Sequence, residues 1–246
     1  MAYFHTTLFE RAESILATAI DGYLCLRAYL PLGTSDRSDS RYLLDEMKAI
    51  LEPEDEKAPF VAFLEDVLNG KKDNDYPFII CFTKTNVSDY IWEKYGDHGK
   101  GVSLQIDLNM NHIEVMDNPF LCCSSPKLFD CHYWDRHDIK KQFLDKHPYY
   151  LNEYNHKPLL VQDFISIASL IKSPVFLDDN ETRIVVFSHT LNVAKTDEKG
   201  RRYIVLRVPV SDLKEIVIGP AAGKEDVASI KRLIGEIVPI RKKSNC

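Results

Sequence analysis

The chain has 246 residues, 45% of them hydrophobic and 28% charged, and its 37 acidic and 31 basic residues give a net charge of −6. These are values of a globular protein, and they exclude a chain dominated by disorder or low complexity. No apolar run reaches the roughly 18 to 20 residues that cross a bilayer, and the acidic balance disfavours a non-specific nucleic-acid coat protein while leaving room for a local basic groove.

The cysteines lie at positions 25, 81, 122, 123, 131 and 246 and follow no repeated spacing. The sequence also shows no apolar leader with positive flanks. Together these features predict a protein of the reducing cytoplasm with no membrane partner. The length predicts a single domain over 1–246.

The first third of the chain begins with the strand-like residues "FHTT", an amphipathic helix over 8–20 and a strand over 23–29. A polar loop is predicted over 31–40, followed by two helical stretches, "RYLLDEMKAILE" and "KAPFVAFLEDVLNG". The continuous apolar run in "YPFIICFTK" predicts a buried strand.

In the middle of the chain, Ser88 or Asp89 is predicted to cap a short helix, "YIWEKYGD", that ends at Gly96. Its loop is rich in glycine, which lets the backbone turn sharply or approach another group closely. The stretches "GVSLQIDL" and "NHIEVMD" are predicted strands. Residues 119–157 have irregular periodicity and predict loops with one helix near 138–146.

The last third contains a predicted helix, "LLVQDFISIASLIKSP", which ends at Pro174. Three predicted strands follow, "ETRIVVFSH", "RRYIVLRVPV" and "LKEIVIGP", and then a final helix, "KEDVASIKRLIGEI". Strands occur singly and in hairpins rather than in strict βαβ alternation, which predicts an α+β fold. The glycine motifs of the Rossmann and P-loop folds are missing from the sequence.

Two stretches that contain cysteine or histidine are candidates for metal binding or nucleophilic chemistry. The segment "CCSSPKLFDCHYWDRHD" lacks paired metal-ligand spacing, so no metal site is predicted, although a metal-dependent nuclease built on His132, Asp135 and His137 stays open as an alternative. Cys81 lies in an apolar strand pattern, where a reactive thiol is not expected.

The acidic stretch "LDDNETRIVVF" is read by itself as a solvated entrance to a strand, with Asp178 at the surface. Alternation along a strand, however, puts Glu181 and Arg183 on one face. The arginine is therefore able to hold the carboxylate in place.

The chain resembles a bacterial family of unknown function that often lies near phage-defence genes. The resemblance rests on "FHTT…AESIL", "CFTKTNVSDYIWEKYGDHGKGVSLQID", "KSPVFLDDNETR" and "KEIVIGP", which keep the order and spacing of the family over nearly the whole chain. The sequence departs from the family pattern at Phe176, where a tryptophan is usual, at Asp179, where a glutamate is usual, and at Cys81, where a serine is usual.

That family in turn resembles the ADP-ribosyltransferases. The resemblance implies split antiparallel or mixed sheets with flanking helices, and NAD as the substrate. It also implies a toxin or phage-defence effector that modifies a macromolecule, either nucleic acid or protein, and that an antitoxin or other regulatory partner restrains.

The same resemblance implies roles for individual residues. The catalytic residues would be Glu181, His5 and Tyr95, and NAD would be bound by His5, Thr6, Arg27, Tyr90, Trp92 and Arg183. A fixed carboxylate suits an oxocarbenium-like transition state, and a guanidinium such as that of Arg27 suits the pyrophosphate. A non-catalytic binding or sensor module, with Glu181 and Arg183 as a structural ion pair, is the other hypothesis, and the departures at Phe176 and Cys81 favour it.

Overall fold

The computed structural model describes residues 2–31, 37–51, 76–85, 88–118, 122–145, 166–235 and 237–243, together with positions 62 and 65. The predicted helix "KAPFVAFLEDVLNG" lies outside this part of the chain, apart from the helical positions 62 and 65. The same is true of 32–36 in the predicted polar loop and of 119–121 and 146–157 in the irregular segment.

Helices and strands alternate irregularly along the chain. The α-helices in the described part are α1 (Phe9–Ala17), α2 (Arg37–Ile50), α3 (Asp89–Tyr95), α4 (Arg136–Asp138), which continues as a π-helix over Ile139–Leu144, and α5 (Lys224–Ile234). The strands are β1 (Ala2–Thr7), β2 (Tyr23–Tyr29), β3 (Tyr76–Thr83), β4 (Val102–Asp107), β5 (Glu114–Val115), β6 (Lys127–Asp130), β7 (His132–Tyr133), β8 (Ile171–Lys172), β9 (Glu181–Ser188), β10 (Lys195–Thr196), β11 (Arg202–Pro209), β12 (Leu213–Ile218) and β13 (Ile240–Lys242).

In the part of the chain that the structure describes, eleven strands form one large sheet in the order β10-β11-β2-β3-β1-β4-β12-β13, with β5 beside β11 and with β9 and β6 beyond β3. The pairs are antiparallel except for β12 with β13. Strands β7 and β8 form a separate parallel pair. The α+β fold predicted from the sequence is confirmed.

Strand β3 is the point at which the large sheet divides. One edge of β3 pairs with β9 over its whole length, from Tyr76 to Thr83. The other edge pairs with β2 at Ile79, opposite Tyr29, and with β1 at Thr83, opposite Phe4. Strands β1 and β2 therefore diverge on either side of Cys81, and we call this gap the fork.

The two faces of the sheet differ in chemistry. Phe78, Ile80 and Phe82 of β3 join the main hydrophobic core, to which α1 and α5 also contribute. Residues 79, 81 and 83 point to the opposite face, because side chains alternate along a strand. Glu181 and Arg183 of β9 lie opposite Thr83 and Cys81 and share that face, which we call the site face.

The glycines of the loop after α3 allow close contact between backbone segments. A Cβ atom at Gly101 would lie 2.3 Å from the carbonyl oxygen of Thr7, and one at Gly219 would lie 2.1 Å from that of Gly99. The Gly219 amide donates to the Gly101 carbonyl at 2.9 Å. The glycines thus allow the close approach that the sequence predicts, and the group that they approach is the backbone of the chain itself.

Three predicted elements are wrong in part. Helical structure in "LLVQDFISIASLIKSP" ends by Ala168, and Ile171–Lys172 form β8, because pairing with β7 overrides the helical period. Helix α2 begins at Arg37, inside the predicted polar loop. The stretch "NHIEVMD" contributes only the two residues of β5.

Candidate functional site

Glu181 begins β9, and its side chain is buried on the site face with both carboxylate oxygens bound by cations. Lys172 donates from Nζ to Oε2 at 2.6 Å, and Arg183 donates from Nε to Oε1. Arg183 also donates to the Ser169 carbonyl. The predicted contact between Arg183 and Glu181 is therefore present, and Lys172 forms a second one.

A second carboxylate, Asp179, shares Lys172 with Glu181. Lys172 is 1% exposed and donates to Asp179 Oδ2 at 2.7 Å. Asp179 ends a 3₁₀ turn, and Asn180 then adopts a left-handed conformation with φ of 42°. This reversal turns both carboxylates toward the same ammonium group and leaves Asp178 exposed, as predicted.

Helix α3 covers this pair of carboxylates. Ser88 caps the helix by accepting a hydrogen bond from the Ile91 amide, as one of the two predicted caps. From its last turn, Lys94 Nζ donates to both oxygens of Asp179 at 3.1 Å, and Tyr95 donates from its hydroxyl at 3.0 Å. The ionised or hydrogen-bonded groups gathered here, which we call the Glu181 cluster, are Lys94, Tyr95, Lys172, Asp179, Glu181 and Arg183.

Aromatic rings surround the ammonium group of Lys94. Its Nζ lies 4.3 Å from the ring centre of Phe176, 4.9 Å from that of Tyr95 and 5.5 Å from that of Tyr90. Such contacts stabilise a cation through the negative face of the ring. Phe176 therefore supplies an aromatic ring to the Lys94 cation.

The charges of the cluster fix the protonation state of Glu181. Burial by itself would raise the pKa of Glu181, but the charges of Arg183 and Lys172 outweigh it and lower the pKa to about 2. Burial and the charges of Asp179 and Glu181 raise the pKa of Tyr95, so its hydroxyl stays protonated. The cluster contains three cations and two anions, which leaves one positive charge in a largely buried place.

Cys81 is exposed although it lies in the middle of the sheet. The sequence predicts a buried strand residue here, and that prediction is wrong because the fork removes the neighbouring strand. Despite this solvent contact, desolvation by the surrounding protein and the charge of Glu181 raise the pKa of Cys81 well above its usual value. The thiol is therefore protonated at neutral pH.

Two of the predicted NAD-binding residues point to the site face beside the fork. Phe4 lies opposite Thr83 and Tyr29 lies opposite Ile79, so both residues share the site face. Thr6 and Arg27 lie two residues from them, towards Cys81, and therefore point to the same face. Thr6 donates from Oγ1 to Ser103 at 3.0 Å. Arg27 is exposed.

His5 is not brought together with Glu181. Phe4 and Glu181 both lie opposite Thr83 and therefore share the site face. Side chains alternate along a strand, so the next residue of β1, His5, points to the core face. There its ring centre lies 5.5 Å from that of Phe82. Its Nδ1 forms a hydrogen bond with the Cys81 carbonyl at 3.0 Å. This bond takes the place of the strand-to-strand hydrogen bond that is missing at the fork. Burial lowers the pKa of His5, although this hydrogen bond opposes the shift.

The aromatic residues of α3 take different positions. Trp92 is 2% exposed and packs with Phe4, Ile91 and Val217, so it has no open face for a ligand to stack on. Its Nε1 has no hydrogen-bond partner in the described part of the chain. Tyr90 and Tyr95 are each 37% exposed. Tyr95, whose hydroxyl binds Asp179, is the predicted aromatic residue that the structure brings into the Glu181 cluster.

Sequence reasoning missed Lys94 and Tyr133 as parts of this site. Lys94 lies one helical turn after Tyr90, a spacing that could have pointed to their contact. The Glu181 amide donates to the Tyr133 hydroxyl at 2.7 Å, across 48 positions of the chain. No local pattern in the sequence signals that bond.

Two residues of the alternative nuclease site make other contacts. Asp135 caps α4 by accepting from the Asp138 amide at 2.8 Å, and the His132 ring stacks on Trp134. Within the described ranges, no group of three or more histidine, cysteine, aspartate or glutamate residues is placed to hold a metal ion.

Comparison with protein-family models, with curated proteins and with solved structures finds no match to the chain. Across the part of the chain that the structure describes, no helix is both long enough and apolar enough to cross a membrane.

Proposed function

We propose that the protein is an NAD-consuming, ADP-ribosyltransferase-like enzyme whose essential carboxylate is Glu181. The observation that carries the proposal is a buried, ionised glutamate beside an open fork in the sheet. Thr6 and Arg27, on the two sides of the fork, point to the same face as Glu181.

The chemistry needs a negative charge that is already present in the ground state. In the proposed reaction the bond between ribose C1′ and the nicotinamide nitrogen breaks, and its electron pair leaves on nicotinamide. The positive charge that develops on the ribose is stabilised by a nearby carboxylate. An acceptor hydroxyl, amide or water then attacks C1′ and loses a proton. With a pKa of about 2, Glu181 is ionised throughout the physiological range.

The surrounding charges suit the rest of the substrate. The dinucleotide carries an anionic pyrophosphate, and the Glu181 cluster has one surplus positive charge. Arg27 is exposed and offers a planar pair of donors for the phosphates. Tyr95, a residue that is 37% exposed, offers an aromatic face to nicotinamide.

The biological setting follows the family resemblance. Under this proposal the protein acts in the bacterial cytoplasm as a toxin or phage-defence effector, transfers ADP-ribose to a nucleic acid or a protein, and is restrained by a regulatory partner.

Release of nicotinamide from NAD by the purified protein tests the proposal. Glu181→Gln removes the charge with little change in size, so we expect the rate to fall by about 100-fold or more. Glu198→Gln is the matched control, because Glu198 is exposed in a turn, and it should keep the wild-type rate. Circular dichroism confirms that each variant folds, and a folded Glu181→Gln protein with full turnover contradicts the assignment.

A non-catalytic ligand-binding or sensor module is the second candidate. It is favoured by the two cations that already hold both oxygens of Glu181, and by the position of His5 on the other face. This candidate predicts that wild-type and Glu181→Gln proteins release nicotinamide at the same background rate.

A further inference from the structure

Beyond the Glu181 cluster, the site face continues over β2 and β11 as a surface of arginine and tyrosine. These strands pair with Tyr203 opposite Tyr29, Val205 opposite Arg27, and Pro209 opposite Tyr23. Their other side chains, such as Leu26 and Leu206, enter the main core. The residues that we call the Arg–Tyr face are Tyr23, Arg27, Tyr29, Arg201, Tyr203 and Arg207.

The members of the Arg–Tyr face form three stacked pairs. The guanidinium carbon of Arg207 lies 3.9 Å from the ring centre of Tyr23, that of Arg201 lies 4.6 Å from Tyr29, and that of Arg27 lies 4.7 Å from Tyr203. The rings of Tyr29 and Tyr203 are 5.6 Å apart. Diagonal contacts of this kind across antiparallel strands order both side chains. The tyrosine rings and guanidinium planes of the face are therefore already ordered before any ligand binds.

The charge of this face is slightly positive, in contrast to the whole chain. Arg201 is paired with Asp197 at 2.6 Å, and Arg207 lies 4.0 Å from Glu114. The neighbouring Lys195 pairs with Asp117 at 2.8 Å. With the exposed Arg27, this makes four cations against three anions, a surplus of one positive charge where the protein as a whole carries −6.

We infer that the Arg–Tyr face binds single-stranded nucleic acid. Unpaired bases stack on tyrosine rings and on guanidinium planes, and sequence-tolerant stacking of this kind is how flat sheet surfaces hold single strands. The face runs from Tyr23 to Tyr29, about 20 Å of strand, which accommodates about three bases. Paired bases of a duplex would present only their edges and backbone to it.

The position of the face connects it to the fork. Tyr29 lies opposite Ile79 of β3, the strand that also carries Cys81, and the same face continues to Glu181. A strand bound to the Arg–Tyr face can therefore extend to the fork. That the bound strand is the ADP-ribose acceptor rests on the proposed function, whereas the binding itself does not.

Fluorescence anisotropy without NAD tests the binding. The probes are labelled single strands of RNA and of DNA of about 12 nucleotides, the corresponding duplex, and a poly-glutamate peptide. We expect both single strands to bind more tightly than the duplex and the peptide. Because stacking outweighs charge here, log K should fall with log salt concentration with a slope of only about −1.

Substitutions locate the site. Arg207→Ala and Tyr23→Leu, at the end of the face away from the fork, should each weaken binding by about fivefold or more. Arg232→Ala is the control, because Arg232 is exposed on α5 at the other face of the sheet, and it should bind like wild type. The inference is overturned if single strands do not bind at micromolar protein, if duplex or peptide binds as well, or if Arg207→Ala behaves like Arg232→Ala. Failure of NAD turnover leaves each of these outcomes unchanged.

Discussion

The arrangement around Lys172 shows how a few buried charges depend on one another. A buried ion costs several kcal/mol unless it is paired and hydrogen-bonded. Lys172 meets this condition by contacting Asp179 and Glu181 at 2.7 and 2.6 Å, and Arg183 completes the coordination of Glu181. Removing one of these charges leaves its partners buried with fewer opposite charges and hydrogen bonds.

Substitution of Lys172 should therefore destabilise the fold strongly. Lys172→Met keeps the length and apolar stem of the side chain but leaves the two carboxylates short of a cation, so we expect a loss of about 3 to 5 kcal/mol. Chemical denaturation measures the change. Lys127→Met, at an exposed position of β6, is the control and should change the free energy of unfolding by less than about 0.5 kcal/mol. Similar stabilities for the two variants would contradict the charge arrangement.

The low pKa of Glu181 predicts a pH dependence of stability. Because the folded-state pKa of about 2 lies below the ordinary value of 4.5, ionised Glu181 stabilises the fold above pH 4.5. This contribution, about 3 kcal/mol, is lost as the pH falls from 4.5 towards 2. Thermal melts of wild-type and Glu181→Gln protein should therefore differ most at neutral pH and converge in acid. A constant difference would mean that Glu181 has an ordinary pKa.

At this scale the sequence predicts contacts within one strand and misses contacts between elements. The pairing of Glu181 with Arg183 follows from two-residue alternation, and Asp178 is exposed as expected. The position of His5 depends on the pairing of Phe4 with Thr83, which no local pattern encodes. The burial of Trp92 beneath its helix likewise depends on contacts with Phe4 of β1 and Val217 of β12.

At the scale of the elements, the glycine loop after α3 holds the end of β12 against β4. The Gly219 and Ala221 amides donate to the Gly101 and Gly99 carbonyls, each at 2.9 Å. This contact anchors the helix that supplies Lys94 and Tyr95 to the Glu181 cluster.

A methyl group at Gly219 should disturb this contact. Its Cβ would lie 2.1 Å from the Gly99 carbonyl oxygen, a distance that forces backbone movement. We expect Gly219→Ala to destabilise the protein by about 2 kcal/mol or more and to lower Tm by roughly 4 °C or more. Gly223→Ala, where the Cβ would meet only the flexible Asp226 carboxylate at 3.3 Å, is the control. Equal Tm values for the two variants would contradict the close backbone contact.

Strongly patterned elements were predictable, and short ones were not. The strands at 23–29 and 102–107 and the final helix carry clear periodicity, and the structure confirms them. Strand β8 has two residues and exists through its pairing with β7. Its residues continue the helical pattern of the preceding stretch, so the sequence predicts a helix there, and the strand forms only through its tertiary contacts.

At the scale of the whole molecule, the order of the strands creates the candidate site. Strand β3 joins β9 to β1 and β2, which lie far from β9 in the sequence. The fork, the exposed Cys81 and the shared face of Glu181 with Arg27 all follow from that order. The sequence predicts the α+β class, but it contains no signal for which strands become neighbours. The Arg–Tyr face was hidden for the same reason, because Arg27 and Arg207 are 180 positions apart.

The most direct test of the central claim is a crystal structure of Glu181→Gln protein with NAD, since this variant should bind the dinucleotide without consuming it. The account predicts that the nicotinamide ribose lies within hydrogen-bonding distance of residue 181, with the pyrophosphate at Arg27 across the fork. NAD bound elsewhere, or a fork that stays empty at a saturating concentration of NAD, would contradict it.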